Sequence, residues 1–177
     1  MADHHHPLRR WKPFLAAFAE IDAAIEAAGP GISRAEFRRA RCAIVEQLCD
    51  TTDDDEGEEE AAGELLCRCL DGAMAEALLT LRVVPVAPAT LATTELVPAV
   101  RALMKRHECE CVRALARDVV CGWRAAAERD LARVREAVDR LDQIVLPAER
   151  TPPAPADTGD DGVSHSDLGA NTKAAGS

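Results

Sequence analysis

Seven cysteines and three adjacent histidines are the residues of this chain whose types could hold a metal ion. Two cysteine pairs have one intervening residue, Cys67-x-Cys69 and Cys109-x-Cys111, and the histidines occupy positions 4–6. On a helix, residues two apart point about 200° away from each other, so both thiolates of a pair cannot face one zinc ion. The C-x2-C spacing of zinc ribbons is also missing. We expect reduced cysteines that behave as small apolar residues, and no metal site.

Sequence patterns of enzymes are equally missing. The chain contains no Gly-rich phosphate loop, no G-x-S-x-G and no H-E-x-x-H. His107 and Cys109 are close in sequence, but a nucleophile and base would need a third, orienting group that no pattern identifies. We therefore expect a protein without enzymatic activity and without a cofactor.

The composition favours an all-α fold. The chain has 177 residues, of which 47% are apolar and only 3% aromatic, so one core must be assembled mainly from Leu, Val, Ile and Ala. Alanine is the strongest helix former, whereas strands prefer aromatic and β-branched residues. Closely packed helices are the expected architecture.

The net charge of −10 is concentrated in one segment. Residues 51–75 carry nine acidic side chains and one basic side chain, so the flanking parts are close to neutral. Residues 76–131 carry eight basic and seven acidic side chains and lack an aromatic stacking platform, and we expect no strong nucleic-acid binding. The acidic residues 51–63 are expected to form a linker, with docking of a basic partner as the alternative.

The two ends of the chain lack the signals of packed or membrane-spanning structure. The first residues contain no continuous apolar stretch, and no segment approaches the roughly 18 apolar residues of a membrane span. We expect a soluble intracellular protein with no membrane partner. Residues 1–10 and 147–177 are expected to be disordered, since the latter are rich in Pro, Ala, Asp, Gly and Ser without apolar periodicity.

Two amphipathic helices are predicted within residues 11–50, the N-terminal helical pair. The first, over 11–28, has the apolar stripe Phe14, Phe18, Ile21 and Ile25 and ends at a Gly-Pro-Gly sequence. The second begins after Ser33, which with Glu36 has the spacing of a capping box. Its expected buried stripe is Phe37, Ala40, Ile44 and Leu48.

Further helices are predicted along residues 64–131. Apolar periodicity indicates helices over 64–84, from Pro88 to Leu91, after Thr94 and over 112–123. The residues expected to form the structural core here are Leu96, Val100, Leu103, Val112, Leu115, Val119 and Trp123.

A C-terminal helical extension is predicted over residues 132–146. Leu131, Val134, Val138, Leu141 and Val145 repeat at spacings of three and four, over about two heptads. This is shorter than a coiled-coil prediction requires, so we expect the helix to pack back on the bundle. Self-association through this stripe is the alternative.

Residues 64–131 resemble the TFIIS N-terminal domain family, also called the LW domain. The resemblance rests on an ordered run of sequence elements: Leu78-Leu79-x-Leu81, Leu91-x-x-Thr94-x-Leu96, Val100-x-x-Leu103, Lys105-Arg106-His107, Val112-x-x-Leu115-Ala116 and Trp123-Arg124. It implies a compact four- to five-helix bundle, here preceded by two helices. Residues 37–48 also resemble plant Mediator subunit 26-like proteins. The chain departs from the family at Val97-Pro98, where a small residue is usual, and at Arg124, where Lys is usual.

The resemblance implies a function as well. It indicates a non-enzymatic, nuclear adaptor of the RNA polymerase II machinery, of Mediator or elongation type, which binds short motifs of transcription regulators. The alternatives are a self-associating helical scaffold and a diverged paralogue without polymerase-related binding. No C-terminal zinc ribbon is recognisable, so transcript-cleavage stimulation is not expected.

A partner-binding surface follows from the same resemblance. Apolar anchors flanked by acidic residues would need a groove framed by positive charge. The residues expected to supply it are Lys105, Arg106, His107, Arg113, Arg117 and Arg124. The alternative is an ordinary solvated face, with Glu108, Glu110 and Asp118 as local partners.

Overall fold

The computed structural model describes residues 8–50 and 58–145, and within these ranges it is helical and contains no strand. The all-α prediction is confirmed. The expected disorder of residues 1–7 and 147–177 concerns residues outside the described ranges. The helices are α1 (Leu8–Trp11), α2 (Leu15–Ala28), α3 (Ala35–Asp50), α4 (Glu58–Val83), α5 (Pro88–Thr93), α6 (Leu96–Arg106) and α7 (Glu110–Val145), with one 3-10 turn at Lys12–Phe14.

By its internal contacts the chain divides into two units, residues 1–136 and residues 137–177. The first unit holds α1 to α6 and α7 as far as Glu136. The second holds the last described residues of α7, up to Val145.

The N-terminal helix begins earlier than the sequence pattern indicates. Residues 8–10 are helical, which corrects the expectation that residues 1–10 are disordered as a whole. Trp11 is fully buried and Arg10 forms ion pairs with α4, so this first turn is fixed by tertiary contacts. Pro13 lies in the 3-10 turn that separates α1 from α2, because a residue without an N–H interrupts the regular α-helical bonds.

The buried face of α3 differs from the predicted stripe. Phe37 is 42% exposed and Ala40 is exposed, whereas Leu48 is buried and Arg41 is 7% exposed. A buried carboxylate on α2, that of Asp22, accounts for the difference because it draws an arginine of α3 inward. Only the second half of the predicted stripe, Ile44 and Leu48, therefore packs on the core.

The capping of α3 is also simpler than predicted. Ser33 Oγ accepts a hydrogen bond from the Ala35 N–H at 3.3 Å. The Glu36 carboxylate lies 3.9 Å from Arg39, so the reciprocal bond of a capping box is replaced by an exposed ion pair.

Helix α4 begins at Glu58, six residues before the predicted start. Residues 58–63, expected to belong to an acidic linker, are therefore helical. Glu and Ala, which make up most of this stretch, are strong helix formers. Residues 51–57 lie outside the described ranges.

One hydrophobic core joins the N-terminal pair to residues 64–131. Side chains of α2, α4, α6 and α7 contribute to it together with Trp11. Of the predicted core residues, Leu96, Val100, Leu103, Val112 and Val119 are at most 2% exposed. Leu115 and Trp123 are partly buried and pack against the same core.

The Val97-Pro98 departure is accommodated at the start of α6. Pro98 is the third residue of the helix, and the first intrahelical N–H donor is that of Ala99, which bonds to the Glu95 carbonyl at 3.0 Å. An N–H at position 98 would have no partner in the helix, so proline removes no bond there. Thr94 Oγ1 accepts from the Leu96 N–H at 3.4 Å.

Helix α7 runs without a break through the residues predicted as a separate extension. In the first unit, Leu131 and Val134 are 57% and 60% exposed, so the expectation that these residues pack on the bundle is wrong. In the second unit, Val138, Leu141 and Ile144 are exposed as well. No described helix is both long enough and apolar enough to span a membrane.

The two tryptophans should contribute unequally to stability. Trp11→Ala removes a fully buried indole and should lower the free energy of unfolding by about 3–5 kcal/mol. Trp123→Ala removes a partly buried indole and should cost less, on the order of 1–2 kcal/mol. Urea unfolding followed by circular dichroism measures both, and equal losses would contradict the assigned positions.

Candidate protein-binding surface

Five of the six predicted partner-binding residues reach the surface. Lys105 and Arg106 are exposed in the last turn of α6. Arg117 and Arg124 are exposed on α7, and Arg113 is half-buried there. Positions 113, 117 and 124 are separated by four and seven residues, which places them on one face of α7. That face adjoins the apolar stripe through which α7 packs on the core.

Arg113 is already engaged by the turn between α6 and α7. Its Nη1 donates to the backbone carbonyls of His107 and Glu108, both at 2.7 Å. Carbonyls at the end of a helix have no intrahelical partner, and a guanidinium satisfies them well. Arg113 therefore positions the turn that places Lys105 and Arg106.

His107 is not a surface residue, which corrects its prediction as a partner contact. The residue is 1% exposed, and its ring lies 4.7 Å from the Trp11 ring and 4.9 Å from the Phe14 ring, measured between centroids. Its Nδ1 accepts a hydrogen bond from the Cys109 N–H at 3.1 Å. His107 thus ends α6 by turning into the core.

The environment of His107 keeps its ring neutral. Burial, together with the nearby positive charge of Arg10, lowers the pKa of His107 to about 4. Because Nδ1 accepts a hydrogen bond, the neutral ring carries its proton on Nε2, which lies 3.8 Å from Asp71 Oδ1. Burial raises the pKa of the Asp71 carboxyl, while its ion pair with Arg10 favours the charged form.

The acidic residues near these cations pair with arginines other than Arg117 and Arg124. Glu108 lies 3.3 Å from Arg10, and Asp118 lies 3.6 Å from Arg82. Glu110 is 3.9 Å from Arg113. Among the side chains that the structure describes, no acidic group is at ion-pair distance from the remaining four cations, which are Lys105, Arg106, Arg117 and Arg124.

A second polar cluster, missed by sequence reasoning, lies between α2, α3 and α4. Arg34 Nε is 3.0 Å from Asp22 Oδ1, and its two terminal nitrogens donate to Glu76 at 2.9 and 2.7 Å. Arg41 pairs with the other oxygen of Asp22. The hydrogen bond from Arg34 lowers the pKa of the Glu76 carboxyl. One signal could have revealed the cluster: Arg34 and Arg41 precede the buried Leu48 at spacings of seven residues, and therefore share its face.

The cysteine pairs are split between environments. Cys67 is buried and Cys69 exposed, while Cys109 is half-buried and Cys111 exposed. Among the described residues, no group of three or more His, Cys, Asp or Glu side chains could hold a metal ion. His4, His5 and His6 lie outside those residues.

Comparison with protein families matches residues 76–127 to the Med26 family, described as a TFIIS helical bundle-like domain. This segment is similar to that family. The match covers the second half of α4, all of α5 and α6, and α7 as far as Ala127. It contains every predicted core residue and every predicted partner-binding residue, and it confirms the resemblance to the TFIIS N-terminal domain family.

The family match suggests a general role in protein–protein interaction. Its family is one of helical protein-interaction domains connected with transcription. The search of curated proteins and the search of solved structures each returned no match. The family match alone therefore suggests a transcription-related adaptor domain.

His107 should make stability depend on pH. The pKa of about 4 is below the ordinary value of 6.5, so the unfolded chain binds the proton more strongly. The stabilising contribution of the neutral ring is complete above pH 6.5 and is lost as the pH falls toward 4, amounting to roughly 3 kcal/mol.

Urea unfolding of the parent chain and of His107→Gln, between pH 7.5 and 4, checks this expectation. Asp71 titrates in both proteins, so the difference between the two curves isolates the histidine. The free energy of unfolding of the parent should fall more steeply with acid than that of the variant. Parallel curves would show that His107 is protonated as easily in the folded chain as in the unfolded chain.

Proposed function

We propose that this protein is a nuclear, non-enzymatic adaptor of the RNA polymerase II machinery, of Mediator or elongation type. The observation that carries the proposal is the TFIIS helical bundle-like domain over residues 76–127. Within it, four exposed cations have no ion-pair partner among the described residues. An adaptor of this kind binds short motifs of transcription regulators.

The basic face suits a partner segment that carries acidic residues. Lys105, Arg106, Arg117 and Arg124 form this face. Each can pair with a carboxylate without first breaking a contact inside the bundle, so electrostatic attraction is available for partner capture and orientation. Lys105 and Arg106 also lie at the negative end of the α6 dipole, which stabilises them in that position.

In our proposal, the part of the chain needed for partner binding is longer than the matched residues 76–127. Residues 64–131 would carry partner binding, and residues 11–50 would complete their core. The shared core supports this division of roles, because Trp11 and the buried face of α2 pack against α4 and α6. Residues 51–57 and 147–177 would act as connecting and terminal segments.

Reversing the charge of the basic face should abolish partner capture. Full-length chain and a Lys105→Glu/Arg106→Glu/Arg117→Glu variant are used as bait in nuclear extract, with mass spectrometry of the recovered proteins. Mediator or elongation-factor subunits should be recovered with the parent chain and be depleted at least about tenfold with the variant. Arg113 is left intact because its contacts hold the α6–α7 turn.

The matched control carries the same charge change away from this face. Arg9→Glu/Arg39→Glu/Arg129→Glu alters three exposed arginines of the same chain. Equal recovery with both triple variants would reject the basic face and keep the adaptor. If no transcription protein is recovered with a folded parent chain, the adaptor function itself is wrong.

The exposed stripe of α7 favours a second candidate function, a self-associating scaffold. Leu131, Val134, Val138 and Leu141 recur at spacings of three and four residues and are 49–60% exposed. Two helices bury such a stripe when they pair as a coiled coil. Asp130 and Arg135 occupy flanking positions of this repeat, where opposite charges of two parallel helices would meet.

Val138→Asp should abolish self-association if the stripe pairs two chains. A charge at the centre of the buried seam would be desolvated without a partner. Sedimentation velocity over a range of concentrations should show dimer for the parent and monomer for the variant. Ala132→Asp, on the opposite side of the helix, is the control and should still dimerise; a monomeric parent at every concentration would eliminate the scaffold.

A further inference from the structure

A groove of about 410 Å³ lies between α2 and α3, with α4 at its base. Its apolar lining consists of Leu15, Phe18, Ala19, Cys42, Val45 and Leu70. Phe18 and Leu70 are buried, while Ala19 and Cys42 are exposed, so the groove is open to solvent above an apolar floor. Its volume is in the range of sites that bury a small ligand or a side-chain anchor. Every lining residue lies before residue 76, outside the TFIIS-like segment.

A nearly buried guanidinium lines this groove with one nitrogen unsatisfied. The Arg41 side chain is 8% exposed, its Nη2 pairs with Asp22, and its carbon Cζ lies 4.4 Å from the centroid of the Phe18 ring. Within the described residues, no acceptor is in hydrogen-bond distance of Nη1. A buried N–H without an acceptor is unfavourable, and a ligand that supplies an acceptor there gains binding energy from it.

The charges around Arg41 favour an anionic acceptor. Asp22 is shared between Arg41 and Arg34, and Arg38 lies 4.0 Å from the same carboxylate. Arg34 and Arg38 have second acidic partners in Glu76 and Glu26. Among the described residues, Arg41 pairs only with the shared carboxylate, so of these three arginines its positive charge is the least compensated.

We propose that the groove between α2 and α3 binds a short acidic–apolar peptide segment of a partner protein. A leucine-sized side chain would fill the apolar floor, and a neighbouring carboxylate would accept from Nη1 of Arg41 at the groove wall. Arg38, which is 44% exposed, would add a second cation at the rim. The exposed Glu46 also lines the groove, so the bound carboxylate is expected beside Arg38 and Arg41 and away from Glu46. The inference rests on the proposed adaptor function, and it adds a peptide site separate from the basic face.

The probe is the peptide acetyl-Glu-Asp-Leu-Leu-Asp-Glu-amide, titrated into the full-length chain. Two matched peptides replace every carboxylate by its amide, or both leucines by alanine. Backbone amide shifts in heteronuclear NMR spectra report the contacted residues and the dissociation constant. Shifts should concentrate on α2 and α3 around the groove, and each matched peptide should bind roughly tenfold more weakly.

Two variants of the same helix test the location. Cys42→Phe fills the groove, whereas Cys49→Phe places the same ring at an exposed position of α3 that does not line it. Both should keep the helicity and melting temperature of the parent chain. Binding of the probe should be lost only in Cys42→Phe. Arg41→Lys keeps a cation near Asp22 but removes the second nitrogen, and should weaken binding of the acidic probe without changing that of the amide peptide.

Several outcomes would overturn the proposal. Equal binding by the two phenylalanine variants would reject the groove, and shifts confined to α6 and α7 would assign the probe to the basic face. Equal affinity for the acidic and amide peptides would reject the role of Arg41. Stronger probe binding after Asp53→Asn/Asp54→Asn/Asp55→Asn would identify this chain's own acidic run as the occupant.

Failure of the inference and failure of the adaptor function are distinguishable. Recovery of transcription proteins from nuclear extract equally by the parent chain and by Cys42→Phe, with no probe bound at the groove, rejects the peptide site alone. Probe binding at the groove without recovery of any transcription protein rejects the adaptor function and leaves a peptide-binding bundle.

Discussion

The arrangement of the helices in the first unit depends on the contacts of the buried Trp11 side chain. Its indole N–H donates to the Cys67 carbonyl at 3.3 Å, its ring stacks on Phe18 at 5.5 Å, and its edge meets His107. One side chain thereby ties α1 to α2, to α4 and to the end of α6. These contacts also affect the basic face. Because His107, directly after α6, is held in the core, the preceding residues Lys105 and Arg106 lie at the surface. The N-terminal helices are therefore part of the structure that supports the TFIIS-like segment.

The second constraint is electrostatic and lies at Asp22, one helical turn after Phe18 on α2. Asp22 is fully buried, so its charge requires compensation, and Arg34, just before α3, and Arg41 of α3 provide it. Arg34 also binds Glu76, which brings α4 into the same cluster. This pairing fixes the rotation of α3 about its axis, leaves Phe37 largely outside, and opens the groove lined by Arg41. Local charge thus overrides the apolar pattern of α3.

The helices and most of the core were predictable because they depend on local periodicity. The stripes of α2, α4, α6 and the first part of α7 follow directly from spacings of three and four residues. The rotation of α3 and the burial of His107 could not be predicted from local periodicity. Both are determined by partners more than ten residues away in the sequence, Asp22 and Trp11. The exposure of Leu131 and Val134 was missed for a related reason: periodicity reveals an apolar face but not what covers it. For the candidate site, the exposed cations were predictable from the sequence. The hydrogen bonds by which Arg113 holds the turn between α6 and α7 were not.

The availability of the basic face is itself a product of the fold. Isolated helices would let Glu108 and Asp118 neutralise neighbouring cations, and such exposed pairs usually contribute little. In the bundle, Arg10 of α1 takes up Glu108 and Arg82 of α4 takes up Asp118. Packing brings cations from other helices to the acidic groups beside the face, so Lys105, Arg106, Arg117 and Arg124 have no ion-pair partner among the described side chains. The same helices that build the core therefore leave the cations of the proposed binding face unpaired among the described residues, so in our proposal partner binding by α6 and α7 depends on folding of the N-terminal pair.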